Sequence, residues 1–154
     1  MELPIGWVEC PDEQHTGSDF IKEFRAPESE EIKLTFYYRG KRIGAGGAAD
    51  FLAVLALPDH ELSEEEFISV DLVVRNASDP EYFLLSSSRT ETMNGKRVLL
   101  VEGIWSSGIV DMAMFIDSDK TGSAVQEVHY QAPEKDFGMY VEQVDSSFKT
   151  IVWL

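Results

Sequence analysis

One acidic stretch of the sequence has the residue types and spacing of a metal-binding loop. The residues DSDKTG at 117–122 begin like a calcium loop, in which alternate positions supply oxygen ligands to the ion. The twelfth position is Val128, where such a loop needs a bidentate glutamate, and Glu127 is displaced by one residue. We therefore interpret 117–122 as a polar hairpin loop, with weak cation binding as the alternative.

Two other patterns resemble ligand-binding motifs, but the sequence around them does not support that function. The residues GAGGAA at 44–49 match the dinucleotide pattern G-x-G-x-x-A, which functions between a buried parallel strand and a helix. No apolar strand precedes it. The apolar run at 50–57 could be a buried strand or a short helix, and its length between Gly47 and Pro58 favours a strand, so a flexible loop is the favoured interpretation of the motif. The second pattern is a cluster with metal-ligating side chains: Cys10, Asp12, Glu13 and His15. No second ligand pair stands at zinc spacing, so a solvated loop is favoured there too.

No pattern predicts catalysis. The serines at 86–88 and 106–107 do not lie in a nucleophile elbow. Carboxylates are so frequent that no pair stands out as general acid and base. We therefore predict that the protein is not an enzyme, that it has no catalytic residue, and that it uses no cofactor or metal.

Composition limits the partners that the protein can bind. The chain has 28 acidic and 13 basic residues, a net charge of −15, which repels nucleic-acid backbones and favours either solubility or a basic protein partner. A single cysteine excludes an intramolecular disulfide. No apolar run reaches the roughly 18 residues of a membrane span. We predict a single domain over residues 1–154, cytoplasmic if the chain is complete and periplasmic if a leader was removed.

Two surface patches are the candidate partner-binding sites. The first is acidic and lies at a predicted helix start: Glu61, Glu64 and Glu65, beside Glu66, which completes a capping box with Ser63. The second mixes aromatic and basic groups on the predicted outward face of one strand: Tyr37, Arg39, Lys41 and Arg42. Tyrosine and arginine are frequent anchors of protein interfaces. Solvated surface is the alternative interpretation of both patches.

The predicted elements form a mostly antiparallel sheet. Three consecutive strands are predicted over 96–105, 109–117 and 124–131, and Asn94-Gly95 suits the type I′ turn of a hairpin with 82–93. Alternation predicts a strand over 32–39, followed by a turn at 39–41. Shorter strands are predicted at 3–8 and 19–25. The capping box predicts a helix from Ser63 to near Asn76.

The last helix is predicted over 133–149. Its apolar residues recur at the spacing of one helical face: Phe137, Tyr140, Val141, Val144, Phe148 and Ile151. Such a stripe indicates an amphipathic helix packed on the sheet.

In this order of elements the chain resembles the Mog1/PsbP-like superfamily, which includes PsbP, Mog1 and DcrB-type domains. The matching stretches are LPIGW at 3–7, the strand and S-E-E-E-F helix start over 50–67, MNGK at 93–96 with VLLVE at 98–102, and the close of the chain through SSFKTI at 146–151. The resemblance implies an α+β fold, an α/β/α sandwich around a mostly antiparallel sheet, without shared catalytic residues.

The resemblance also implies a function. It favours a non-catalytic protein-binding factor: an adaptor, chaperone or accessory protein of a bacterial secretion or assembly system. One alternative is an immunity protein that neutralises a toxin effector. Another, of a different class, is a small-molecule or metal-binding module. A homodimer is a further arrangement that the sequence leaves open.

Overall fold

The structure is a computed structural model that describes residues 1–10, 21–74 and 82–153, with the backbone alone at 38–41. It is a mixed α/β fold with a seven-stranded antiparallel sheet. The strands are β1 (Val8–Glu9), β2 (Ile21–Ala26), β3 (Ser29–Arg42), β4 (Phe83–Met93), β5 (Lys96–Trp105), β6 (Ile109–Asp117) and β7 (Ala124–Pro133). The helices are α1 (Ala45–Ala56), α2 (Glu64–Ser69), α3 (Asp71–Val74), α4 (Glu134–Phe137) and α5 (Val141–Phe148).

The sheet has the order β1-β2-β3-β7-β6-β5-β4, and every neighbouring pair is antiparallel. The three predicted consecutive strands are confirmed as β5, β6 and β7. The predicted hairpin is confirmed as well: Asn94 and Gly95 have φ of 49° and 86° between β4 and β5. A type I′ turn requires the left-handed conformation at both central residues, and asparagine and glycine adopt it at the lowest energetic cost.

The interpretation of 50–57 as a strand is wrong, because residues 50–56 lie in α1 and Leu57 is its C-cap. Phe51 and Val54 are buried three positions apart, whereas Ala53 and Ala56 between and beyond them are exposed. This is the period of a helix, and alanine and leucine are strong helix formers. A short apolar run is compatible with both structures, and packing of one helical face on the sheet decided between them.

Two predicted helices are interrupted. The C-terminal one divides into α4 and α5, because Tyr140 departs from helical backbone with φ −121° and ψ −3°. The stripe itself is still correct, since Phe137, Tyr140, Val144 and Phe148 are all buried. The earlier helix divides at Val70 into α2 and α3, and its predicted end near Asn76 lies outside the described residues.

The strands near the N-terminus differ in extent from the prediction. The opening strand is only β1, and Trp7 before it is buried against the rings of Tyr130 and Tyr140. The predicted turn at 39–41 is wrong, because β3 continues through Arg42. A register shift in the pairing with β7 lies between Tyr37 and Lys41 instead.

Apolar residues of the sheet form two clusters, one on each face. The first includes Leu34, Leu100 and Tyr130 with buried residues of α4 and α5. The second includes Leu99, Phe115 and Val125 with buried residues of α1 and α3 and with Val70, the C-cap of α2. Alternation along each strand explains the separation, because neighbouring residues point to opposite faces. In the described part of the chain, no helix is both long and apolar enough to cross a membrane.

Candidate functional site

The acidic helix start is built on the predicted capping box, which is confirmed. The Glu66 backbone N–H donates to Ser63 Oγ at 3.2 Å, and the Ser63 backbone N–H donates to Glu66 Oε1 at 3.1 Å. Two backbone donors at the start of α2 are satisfied in this way. Glu66 is therefore part of the helix cap.

The segment before α2 is fixed to the edge of the sheet. The Leu62 N–H donates to the Ser88 carbonyl at 2.9 Å, and the Thr90 N–H donates to the His60 carbonyl at 2.9 Å. These bonds make a short antiparallel bridge to β4, which is otherwise an edge strand. The bridge covers part of that edge, and it holds Glu61 in a defined position beside α2.

Asp59 ties the same segment to β4 and β5. Its carboxylate accepts from Arg97 Nε at 2.7 Å, from Thr92 Oγ1 at 2.7 Å and from the Thr92 N–H at 2.8 Å. The hydrogen bond from Arg97 and those from Thr92 lower the pKa of Asp59 to about 2. Arg97 also donates to the Leu55 carbonyl at 2.9 Å, which connects the end of α1 to the sheet.

His60 is bound on both ring nitrogens. Nε2 lies 2.8 Å from Glu66 Oε2, and Nδ1 lies 2.7 Å from the Pro58 carbonyl oxygen. The hydrogen bond to Glu66 raises the pKa of His60, and the same bond lowers the pKa of Glu66. Both groups therefore serve the local structure of the α1–α2 connection.

Three carboxylates of this segment remain available to a binding partner, those of Glu61, Glu64 and Glu65. All three side chains are exposed, and among the described residues none of them forms an ion pair or accepts a side-chain hydrogen bond. Their neighbours, in contrast, are all bound to the scaffold. The acidic cluster Glu61, Glu64 and Glu65 is thus a set of free carboxylates on a rigid support.

The second predicted patch is not a single outward face. Tyr37 stands opposite Glu127 on β7, whereas Arg42 stands opposite Ala124. Glu127 and Ala124 are an odd number of residues apart, so their side chains point to opposite faces. Tyr37 is 38% exposed and packs edge-on against the His129 ring, with centroids 5.6 Å apart. Arg42 is exposed, and the side chains of Arg39 and Lys41 lie outside the described residues.

A buried polar cluster on β6 and β7 was not predicted. His129 Nδ1 lies 3.0 Å from Asp111 Oδ1, and His129 Nε2 lies 3.2 Å from Glu127 Oε1. Asp111 Oδ2 accepts from Gln131 Nε2 at 2.9 Å and from Trp105 Nε1 at 3.1 Å. Asp111 is 3% exposed, so its charge is removed from water and held by these donors.

Electrostatics hold the buried cluster in its charged form. Burial by itself opposes ionisation of His129, but attraction to Asp111 and hydrogen bonds to Asp111 and Glu127 raise its pKa to about 10. Burial likewise opposes ionisation of Asp111, yet the His129 charge and the surrounding donors lower the pKa of Asp111. The result is an imidazolium between two carboxylates, as expected for buried groups that are paired and hydrogen-bonded.

One signal in the sequence points toward this cluster. Glu127, His129 and Gln131 alternate along the predicted strand at 124–131, which puts their side chains on one face. Asp111 joins them only through the register of β6 against β7, in which Asp111 stands opposite Gln131 and Ala113 opposite His129. That register is a tertiary property, so the sequence pattern alone could not bring the fourth residue into place.

In the candidate metal loop at 117–122, the carboxylates accept hydrogen bonds from neighbouring residues of the loop. Asp117 accepts from the Gly122 N–H at 3.0 Å, and Asp119 accepts from Thr121 Oγ1 at 2.8 Å and from Ser123 Oγ at 3.1 Å. This agrees with an ordinary polar loop. Over residues 1–10, 21–74 and 82–153, no group of three or more histidine, cysteine, aspartate or glutamate residues is placed to hold a metal ion.

Of the other two ligand patterns, the structure describes only one member of the cysteine–histidine cluster and the whole glycine-rich motif. Cys10 is buried beside Glu23, and residues 12, 13 and 15 lie outside the described residues. The glycine-rich motif at 44–49 is not a loop, contrary to the prediction: Gly44 is the N-cap of α1, and residues 45–49 form its first turns. However, its preceding strand β3 is antiparallel to both neighbours, β2 and β7, and a dinucleotide site needs a parallel strand pair there.

Neither His60 nor His129 has a free ring nitrogen. A general base needs a free nitrogen or oxygen and a pKa near the working pH. His129 has both nitrogens bound and a pKa raised to about 10, and His60 has both nitrogens bound as well.

The chain was compared with known protein families and with curated proteins, and it matches none of them.

Proposed function

We propose that this protein is a non-catalytic factor that binds a basic protein partner through the acidic cluster Glu61, Glu64 and Glu65. The single observation that supports it most is the contrast within this short segment. Asp59, His60 and Glu66 are all bound to the scaffold, whereas the three remaining carboxylates are exposed and form no ion pair with any residue that the structure describes. Like charges this close repel one another, and a basic surface relieves that repulsion on binding.

The rigidity of the support strengthens the proposal. The capping box, the bridge to β4 and the Asp59–Arg97 pair fix the backbone on both sides of the cluster. A preorganised charged surface loses less conformational freedom on binding than a flexible one. Adaptors, chaperones and accessory factors of secretion or assembly systems need such a surface, and so does an immunity protein that covers a basic toxin.

The arrangement of elements is compatible with the Mog1/PsbP-like resemblance. Helices contribute to apolar clusters on both faces of the sheet, which is what an α/β/α sandwich requires. We therefore include that fold type in the proposal. It favours partner binding over catalysis, because the superfamily has no shared catalytic residues.

The test uses a charge-neutralising variant with a matched control. The variant is E61Q/E64Q/E65Q, and the control is E31Q/E134Q/E142Q, which removes three equally exposed carboxylates elsewhere. Glu66 is retained because its loss would weaken the cap. The partner is first captured from the native host by affinity purification, and association is then followed by stopped-flow at two ionic strengths.

The two outcomes are distinct. If the cluster steers the partner, the variant associates more slowly, its rate depends less on salt, and its dissociation rate changes little. The control then behaves like the wild type. Equal association rates and salt slopes for wild type and variant would exclude the acidic cluster as the binding surface.

A further inference from the structure

An apolar groove of about 490 Å³ lies at one end of the sheet. Its walls come from both ends of the described chain and from the strands between them, with apolar side chains that include Leu3, Phe24, Phe36, Ile151 and Trp153, beside fewer polar ones such as Gln126. Ligand sites in proteins have volumes of roughly 300–1,000 Å³ and predominantly apolar walls. The groove thus has the size and lining of a small-molecule site.

The C-terminal wall is fixed by hydrogen bonds to the β4–β5 hairpin. Trp153 Nε1 donates to the Met93 carbonyl at 2.7 Å, and Asn94 Nδ2 donates to the Ile151 carbonyl. The hairpin turn therefore positions two of the apolar side chains that line the groove.

The N-terminal wall is joined to the C-terminal one. The Glu2 N–H donates to Thr150 Oγ1 at 2.7 Å, which places Met1 and Leu3 beside the last residues of the described chain. The floor is formed by aromatic side chains of neighbouring strands, and the Phe24 and Phe36 rings pack edge to face with centroids 5.6 Å apart. Hydrogen bonds and ring contacts therefore hold the walls of the groove in place.

The groove has one cation available to a ligand. The Lys96 ammonium lies 5.1 Å from the centroid of the Trp153 ring, and among the described residues no carboxylate is within salt-bridge distance of it. Glu127 also lines the groove, but its carboxylate bonds His129 at 3.2 Å. In a chain with a net charge of −15, an unpaired lysine beside an apolar cavity is a specific electrostatic feature.

We propose that this groove binds a free amphipathic carboxylate, such as a fatty acid of medium chain length, with its alkyl chain among the apolar walls and its carboxylate on Lys96. Burial of the chain supplies the apolar part of the affinity. The charged hydrogen bond to the ammonium selects the anionic head group. The site is separate from the acidic cluster Glu61, Glu64 and Glu65, so it adds a ligand to the proposed protein-binding function.

The test measures binding of dodecanoate below its micelle concentration by titration calorimetry, with tryptophan fluorescence as a second readout. Wild type is expected to bind one equivalent saturably. Lys96→Gln should weaken binding about tenfold, as expected for loss of a hydrogen bond to a charged group. Lys135→Gln, which removes an exposed lysine on α4, should leave it unchanged. Dodecanol, which lacks the charge, should bind wild type and Lys96→Gln equally.

Further measurements distinguish binding in the groove from nonspecific association with lipid. Gln126→Trp, which adds bulk to a lining position, should weaken dodecanoate and dodecanol alike, with circular dichroism to verify folding. Vesicles of phosphatidylcholine and phosphatidylglycerol should not sediment the protein. Absence of saturable dodecanoate binding, equal affinity of wild type and Lys96→Gln, or binding to vesicles without binding to dodecanoate would overturn the proposal.

Discussion

Two groups of carboxylates in this protein have the same chemistry and opposite surroundings. In the buried cluster, Asp111 and Glu127 hold the His129 imidazolium between β6 and β7, and Asp111 is 3% exposed. In the acidic cluster, Glu61, Glu64 and Glu65 are exposed beside α2, and none has a partner within the described residues. The two clusters therefore differ in burial and in pairing: one holds the fold together, and the other can meet another molecule.

The difference has an energetic basis. A buried charge must be paired and hydrogen-bonded, and breaking such a pair is expensive because the remaining charge is left without compensation. An exposed charge is solvated by water and contributes little to stability. We therefore expect substitutions in the two clusters to separate stability from binding.

The largest effect is expected for Asp111→Ala. Its loss leaves the half-buried donors of His129, Gln131 and Trp105 without their buried acceptor, so the free energy of unfolding should fall by about 3–5 kcal/mol. Asp145→Ala is the control, because it breaks an exposed pair with Lys149 and should cost less than about 1 kcal/mol. Urea unfolding measures both. Similar losses in the two variants would remove the distinction between buried and exposed pairs.

The second effect concerns pH. The pKa of His129 is raised from an ordinary 6.5 to about 10, so its contribution to stability is complete below pH 6.5 and is lost as the pH rises toward 10. Between these values stability should fall by up to about 1.4 kcal/mol per pH unit. Urea midpoints at pH 7, 8 and 9 test this, and His129→Gln should have the flatter profile. A slope that is identical in wild type and His129→Gln would contradict the assignment.

A smaller loss of stability is expected when the helix cap that supports the acidic cluster is weakened. Ser63→Ala removes the side-chain acceptor of the Glu66 N–H and should lower the free energy of unfolding by about 1 kcal/mol. Ser106→Ala, in an exposed turn, is the matched control and should have no measurable effect. If the two variants were equally stable, the capping box would not be the device that fixes the start of α2.

The smallest effect on stability is expected for the acidic cluster itself. E61Q/E64Q/E65Q should change the free energy of unfolding by no more than about 0.5 kcal/mol per site, because exposed substitutions away from structural contacts rarely do more. Thermal unfolding at neutral pH measures this. A loss of several kcal/mol would mean that these carboxylates serve the fold, and the comparison between the two clusters would fail.

Local interactions of neighbouring residues determined much of this structure. The Asn94–Gly95 hairpin, the alternation of β5, β6 and β7 and the capping box at Ser63 and Glu66 are all as predicted. Each depends on residues a few positions apart, whose conformational preferences act before any distant contact forms. The exposure of Glu61, Glu64 and Glu65 follows from the same local pattern.

Tertiary structure decided what local patterns leave ambiguous. Burial of one face made 50–57 part of α1, and the packing of Tyr140 accompanies the break between α4 and α5. The buried cluster requires the register of β6 against β7, and the groove requires both ends of the described chain to meet at the β4–β5 hairpin. These contacts join residues far apart in sequence, so no short stretch contains the information that creates them.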